Sequence, residues 1–297
     1  MKARVFRLIC GAVAISALSL ADASGAPQRA THQAKRRPPE ARSTSQEPPA
    51  QGCGDVFSFQ VLLDRAGFSP GEIDGAAGPN FQHALSAWQE AHHLAASGKP
   101  DCESWQALGS ETNAAPAKTT YTITEADAAG PFVTEIPEEL PKQAALPALG
   151  YRSAIEKLGE RFHTSPALLQ KMNPGARFAA GDTIQVANVQ PFDANAKPAA
   201  DPATAETSVQ VTRDDSSLRV TRADGTLIFF APVTTGSEHD PLPPGDWKVT
   251  GVGWHPPFNY NPDLFWDAKP GDTKAVIKPG PNNPVGVAWI DISREHY

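Results

Sequence analysis

The chain has 297 residues, of which 20% are charged, and a formal net charge of −7. That length accommodates two or three modest domains. The acidic balance deepens beyond Gly52, because basic residues crowd the front of the chain, and this speaks against nucleic acid, whose binders carry a basic footprint.

Residues 1–23 have the anatomy of a secretory signal peptide. Lys2, Arg4 and Arg7 precede an apolar stretch from Leu8 to Leu20, and Ala21-Asp22-Ala23 places small residues at the cleavage-determining positions. The apolar run falls short of the ~20 residues that span a bilayer, and Cys10 lies inside it rather than after it, unlike a lipid-attachment cysteine. No later segment is apolar enough to span. The expectation is therefore export across the inner membrane to the periplasm or cell wall, with no transmembrane segment after signal cleavage. Residues 24–51, with Arg29, Lys35, Arg36, Arg37 and Arg42 among prolines 38, 39, 48 and 49, read as a solvated tether.

The first folded domain is expected over residues 52–110. Phe59, Leu62, Leu63 and Ala66 share one helix face, and Gly67 is placed to end that helix. Pro79 stands at the first position of a second helix striped by Phe81, Ala84, Leu85 and Trp88. Asp101 is a plausible N-cap for a short third helix with Trp105 and Leu108. In an oxidising compartment the cysteine pair left after signal removal, Cys53 and Cys102, reads as a structural disulfide. The neighbours His92 and His93 point to different helix faces, which disfavours a shared metal. No metal and no cofactor is expected. The run Phe59-Gln60-Val61-Leu62-Leu63, Gly67-Phe68, Gly71-Glu72-Ile73-Asp74-Gly75, Gly78-Pro79, Ala84, Trp88-Gln89 and Gly98 resembles the peptidoglycan-binding three-helix module.

Residues 119–190 change texture. Tyr121–Thr124 alternates like a strand, Ala154, Ile155, Leu158 and Phe162 mark one helix, Leu168, Leu169 and Met172 mark another, and Thr183–Val186 is a second strand. With Arg161–Ser165, Asn173 and Gly181-Asp182, this order resembles a LysM repeat, a βααβ module whose family binds N-acetylglucosamine-containing glycans. About 25 extra residues separate the expected first strand from the first helix, so either the module carries an insertion or Tyr121–Thr124 is not its first strand.

An Ala/Pro-rich linker over 191–207 leads to a β-patterned region, 208–297. Val209 and Val211, Leu218 and Val220, and Leu227, Phe229 and Ala231 alternate with period two, with Asp214–Ser217 and Asp224-Gly225 as turns. Further strands are expected around Trp247–Gly253 and Val285–Ile292. Thr235-Gly236, Pro244-Gly245-Asp246-Trp247 and Asn283-Pro284-Val285-Gly286, in that order, resemble the opening half of the YkuD-type L,D-transpeptidase catalytic domain. The resemblance implies cysteine acyl transfer onto peptidoglycan stem peptides, with a His as base and backbone N–H groups for the oxyanion. The family's His-Gly and Ser-x-Gly-Cys-x-Arg motifs would lie beyond Tyr297, and no cysteine follows Cys102. His239, His255 and His296 do not sit in the family's motif, and Gly236, Pro244, Asn283 and Gly286 read as turn residues first. No residue of this sequence is therefore assigned as catalytic. The expected architecture is multidomain α+β: a three-helix bundle, a LysM-like βααβ module and the N-terminal part of a mainly β domain. The expected partners are peptidoglycan glycan strands and stem peptides. The expected function is an L,D-transpeptidase inactive as this fragment, the alternative being a non-catalytic peptidoglycan-binding remnant.

Overall fold

A computed structural model describes residues 5–7, 53–112, 115–197, 207–236, 238–239 and 241–294. Most of the expected signal peptide and tether, the middle of the 191–207 linker and His296 lie outside these residues.

Helix α1 (Val56–Arg65) starts at Asp55, whose carboxylate accepts from Ser58 N at 2.8 Å. Gly67, at φ 82°, turns the chain out of the helix. Pro79 opens α2 (Pro79–Ala91), and Asp101 caps α3 (Cys102–Glu111) through a 2.7 Å bond to Ser104 N. Two buried glutamines hold the loops between these helices. Gln60 donates to Asp74 Oδ1 at 2.8 Å and accepts from Gly75 N at 2.8 Å. Gln89 donates to Ser104 Oγ at 2.9 Å and accepts from Gly98 N at 2.9 Å. Gly98 is required there: its φ is 64°, and a Cβ would come within 2.7 Å of the Gln82 carbonyl oxygen. Phe59, Phe81, Leu85, Trp88 and Leu108 form the core of this bundle.

A disulfide joins Cys53 to Cys102, with a Cα–Cα distance of 5.0 Å and a sequence separation of 49. Closing a loop of that length contributes about 4 kcal/mol in the chain-entropy account. Urea unfolding of a Cys53→Ser/Cys102→Ser double variant should show a stability deficit of that order. A midpoint unchanged from the oxidised protein would mean that the bridge adds nothing.

The second module pairs β2 (Lys118–Thr122) antiparallel with β3 (Thr183–Ala187), Tyr121 opposite Ile184. The segment up to Thr122 is the first strand, whereas Ile123 and Thr124 leave it, and Thr124 caps the short α4 (Glu125–Ala128) in a capping box with Asp127. The extra residues form an excursion containing α4 and α5 (Leu140–Ala144) before α6 (Ala154–Arg161) and α7 (Pro166–Met172). Asn173 ties α7 to the sheet, donating to Leu169 O and Gln185 O and accepting from Gln185 N at 2.7 Å.

The two modules share α1. Its Phe59, Leu62 and Leu63 enter the bundle core, while its Phe57 and Val61 enter a second core with Ile123, Leu158, Phe162, Leu169 and Ile184. A helix buried on opposite faces belongs to the interior of a larger unit. The one-face stripe read from the sequence therefore accounts for half of what α1 buries.

The β region comprises β4 (Thr207–Thr212), β5 (Ser217–Arg222), β6 (Leu227–Pro232), β7 (Asp246–Trp254), β8 (Phe258–Tyr260), β9 (Ala275–Ile277) and β10 (Ala288–Ile292). Strand β1 (Val5–Arg7) completes a six-stranded sheet in the order β10-β7-β1-β4-β5-β6, parallel to β4 and antiparallel to β7. This strand falls inside the expected signal peptide, whose removal would leave the facing edges of β4 and β7 without it. Hairpin β8–β9 was not expected from the sequence. Strand β10 is shorter than the expected Val285–Ile292, because residues 283–286 close a turn in which Gly286 N donates to Asn283 O at 3.0 Å.

The alternation in β6 is broken. Thr221 faces Leu227 and Val220 faces Phe229, so Ile228 is an extra residue on this strand, a β-bulge. Beyond it the parity flips. Phe230, 1% exposed, enters the bundle core beside Leu227, while Phe229 is 39% exposed. The Leu227-Phe229-Ala231 series is corrected accordingly. The edge of β6 is covered by the loop after α1: Ser69 N donates to Phe230 O at 2.8 Å, and Phe230 N to Gly67 O at 3.1 Å. Both hydrophobic cores found among the described residues draw mainly on residues before Gln190, and the β region contributes Phe230 and Leu227 to them. Val252, Trp289 and Ile290 are exposed at the opposite side of the sheet.

Candidate functional site

Two cavities adjoin the first module. A groove of about 380 Å³ lies along the loop between α1 and α2, lined by Gln60, Pro70, Glu72, Asp74 and Asn80. Its Asp74 belongs to the Asp74-Gly75 turn held by Gln60. A cleft of about 900 Å³ lies where the first module, the second module and β6 meet, with Arg65, Glu72, Glu160, His163, Gln190 and Phe229 among its walls.

Long-range bonds build the cleft. Ile73 N donates to His163 O at 2.8 Å and Ser165 N to Ile73 O at 3.0 Å, so the loop after α1 pairs with the α6–α7 turn. Arg65 donates to Asn188 O at 2.6 Å, Ala115 O at 2.8 Å and Pro116 O at 2.7 Å. His163 Nδ1 lies 3.0 Å from both carboxylate oxygens of Asp64. Arg65 and His163 are thus both engaged by the protein. Burial raises the Glu160 carboxyl above its ordinary value although a bond from Tyr151 opposes the shift, and burial raises the Tyr151 phenol in turn. Behind the cleft, Asp127 accepts from Tyr121 Oη at 2.6 Å and Thr124 Oγ1 at 2.6 Å and pairs with Arg161 at 3.1 Å. Burial alone would raise the Asp127 carboxyl, but these partners together hold it below its ordinary value. The network fastens α4 to β2 and α6.

The Asp64 bond raises the His163 pKa, burial opposes it, and the charges of Asp64 and Glu160 add to the rise. A folded pKa above the unfolded one contributes stability that is complete below the unfolded value of about 6.5 and disappears as pH rises through the folded value. The thermal midpoint of the wild type should therefore drop more between about pH 6 and pH 9 than that of His163→Asn, a residue that tolerates the left-handed backbone of this position (φ 54°). Equal drops in calorimetry would show that the Asp64 pair does not couple to folding.

The other residues singled out by sequence are dispersed. His92 stacks on Trp88 at 4.2 Å, and its Nδ1 lies 2.8 Å from Trp88 O, so it finishes α2. His239 is exposed and its ring lies 4.0 Å from that of Trp266; His255 is exposed just after β7. Asn283, 5% exposed, donates to Lys278 O at 2.9 Å and accepts from Val285 N at 2.9 Å, a turn-building role. Gly236 and Gly286 have φ of 81° and 67°, and Pro244 is exposed. Cys53 and Cys102 are bonded to each other. The cleft residues Asp64, Arg65, Glu160 and Phe229 escaped functional notice in the sequence. Asp64 and His163 are 99 positions apart and Arg65 and Asn188 are 123 apart, and no local pattern links such residues.

Residues 54–108 match the family described as "Putative peptidoglycan binding domain". A search of curated proteins found no match to the chain. The matched span contains α1, α2, the start of α3 and the groove around Asp74. The match supports peptidoglycan as a partner of residues 54–108 and points to a cell-wall-related location. No helix among the described residues is long and apolar enough to cross a membrane.

Proposed function

We propose that the chain is exported by its first 23 residues, anchors to the bacterial wall through residues 54–108, and presents from Ser208 onward part of an L,D-transpeptidase domain acting on stem peptides. The observation that carries the wall assignment is the family match over 54–108. The transpeptidase assignment is supported by the ordered motifs Thr235-Gly236, Pro244–Trp247 and Asn283–Gly286. The LysM likeness of 119–190 is supported by the β2–α6–α7–β3 order and the antiparallel pairing of its two strands. Its excursion between β2 and α6 departs from a plain βααβ module.

Acyl transfer of this class needs a thiolate, a base beside it and oxyanion donors. Within these 297 residues Cys53 and Cys102 are joined, and Cys10 lies in the export segment. A transpeptidase activity therefore requires a nucleophile encoded downstream of Tyr297. Sequencing the DNA past that codon tests this: an open frame with a His-Gly and then a Ser-x-Gly-Cys-x-Arg motif supports the enzyme, and carbapenem acylation of the longer product would follow. A stop codon there would overturn the enzymatic reading and favour the second one, a wall-binding protein without catalysis. Pull-down on purified sacculi tests the wall reading independently.

A further inference from the structure

The groove and the junction cleft are neighbours on the surface. Glu72, in the loop that follows α1, lines both. Peptidoglycan is a polymer, and a chain lying in the groove past Asp74 would reach the cleft by crossing the exposed Glu72. That continuation has a defined chemistry. Arg65 is directed at three backbone carbonyls and His163 at Asp64, while Glu72, Glu156 and Glu160 line the cleft without an equal number of free cations. Glu156 accepts from Asn282 at 3.2 Å and pairs with Arg152 at 3.9 Å, and Tyr151 bonds to Glu160, so Glu72 is the most open of these carboxylates. A polyanionic segment is disfavoured here and an ammonium group is favoured. Phe229 adds a half-exposed aromatic wall, turned into the cleft by the bulge at Ile228. Such a surface accepts the apolar face of a saccharide ring. Sites between packed modules are a common location for ligands.

We propose that the wall ligand of residues 54–108 runs past Glu72 into the junction cleft, so that one polymer segment bearing a primary ammonium group beside a hydroxyl-rich ring is held by both modules and β6 at once. The second module then completes a shared site instead of capturing glycan on its own. This rests on the reading that the first module binds peptidoglycan.

The test uses the full chain and calorimetric titration with two soluble wall fragments, a disaccharide-peptide and a fragment of twice that length. Wild-type protein should bind the longer one at least about tenfold tighter, because the second subsite acts at high effective concentration. Gln190→Trp, which fills the cleft from an exposed position, and Phe229→Ala should each return the longer fragment to the affinity of the shorter. Fragments acetylated at sugar amines or at peptide amines identify the source of the ammonium group, whichever loses affinity being the source. Equal affinities for both lengths, or tight binding of the long fragment by both variants, would overturn the shared site while sacculus binding kept the wall reading intact. Retention of affinity by both acetylated forms would overturn the ammonium assignment. Failure of the wild type to bind either fragment or sacculi would overturn both readings.

Discussion

Val61→Asp is expected to abolish the cooperative thermal transition of the helical part of the protein, or to lower its stability by more than about 4 kcal/mol. Val61 is fully buried, and its neighbours in the second core are apolar: Ile123, Leu158, Leu169 and Ile184 among them. An aspartate surrounded by these side chains must either ionise without solvent or take up a proton, and either event opposes folding. Total stabilities of domains lie at about 5–15 kcal/mol, so a loss of this size is a large share. The substitution also separates two views of α1. If the helix buried only the Phe59-Leu62-Leu63-Ala66 stripe, Val61 would face water and the change would be nearly silent. Because the two cores share α1, far-ultraviolet dichroism should report loss across both modules together. A wild-type melting curve from Val61→Asp would mean that the modules do not pack through this helix.

Phe230→Ala should cost about 3–5 kcal/mol, the range for deleting a fully buried phenylalanine. Phe230 lies in the bundle core and exchanges backbone hydrogen bonds with the loop at Gly67 and Ser69. The cost should therefore appear as release of the β region from the bundle, measured as faster amide exchange over residues 227–232 together with a lower urea midpoint. Its neighbour provides the control. Phe229→Ala removes a half-exposed ring and should change stability by much less, although it belongs to the period-two series visible in the sequence. Arg219→Ala, which breaks a 2.8 Å pair with the exposed Glu90, should cost at most about 1 kcal/mol. Equal effects at 229 and 230 would contradict the bulge.

The two cases show where local reading stops. The helix N-cap at Asp101, proline at the first turn of α2 and the left-handed exit at Gly67 were all legible, since each depends on a few adjacent residues. The turn composition between β4, β5 and β6 was legible for the same reason. Bulges are less so: one extra residue reverses every side chain beyond it, and nothing around Ile228 advertises which residue is extra. Hairpin β8–β9 was missed because its strands have three residues each, too few for a period to show.

By itself the sequence determined the likeness of residues 54–108 to a peptidoglycan-binding domain: the spaced glycines, Trp88 and the two glutamines are local features of a short segment, and Gln60 and Gln89 hold its loops from within. It also determined that a cysteine nucleophile is not among the residues after Cys102. Only the tertiary structure decided that α1 serves two cores, that Phe230 and not Phe229 is buried, and that Glu72 stands between a groove and a cleft. The physical reason is the range of the forces involved. Caps, turns and backbone preferences act over a few residues, whereas burial of a second helix face and the Asp64–His163 pair depend on segments 99 positions apart meeting in space.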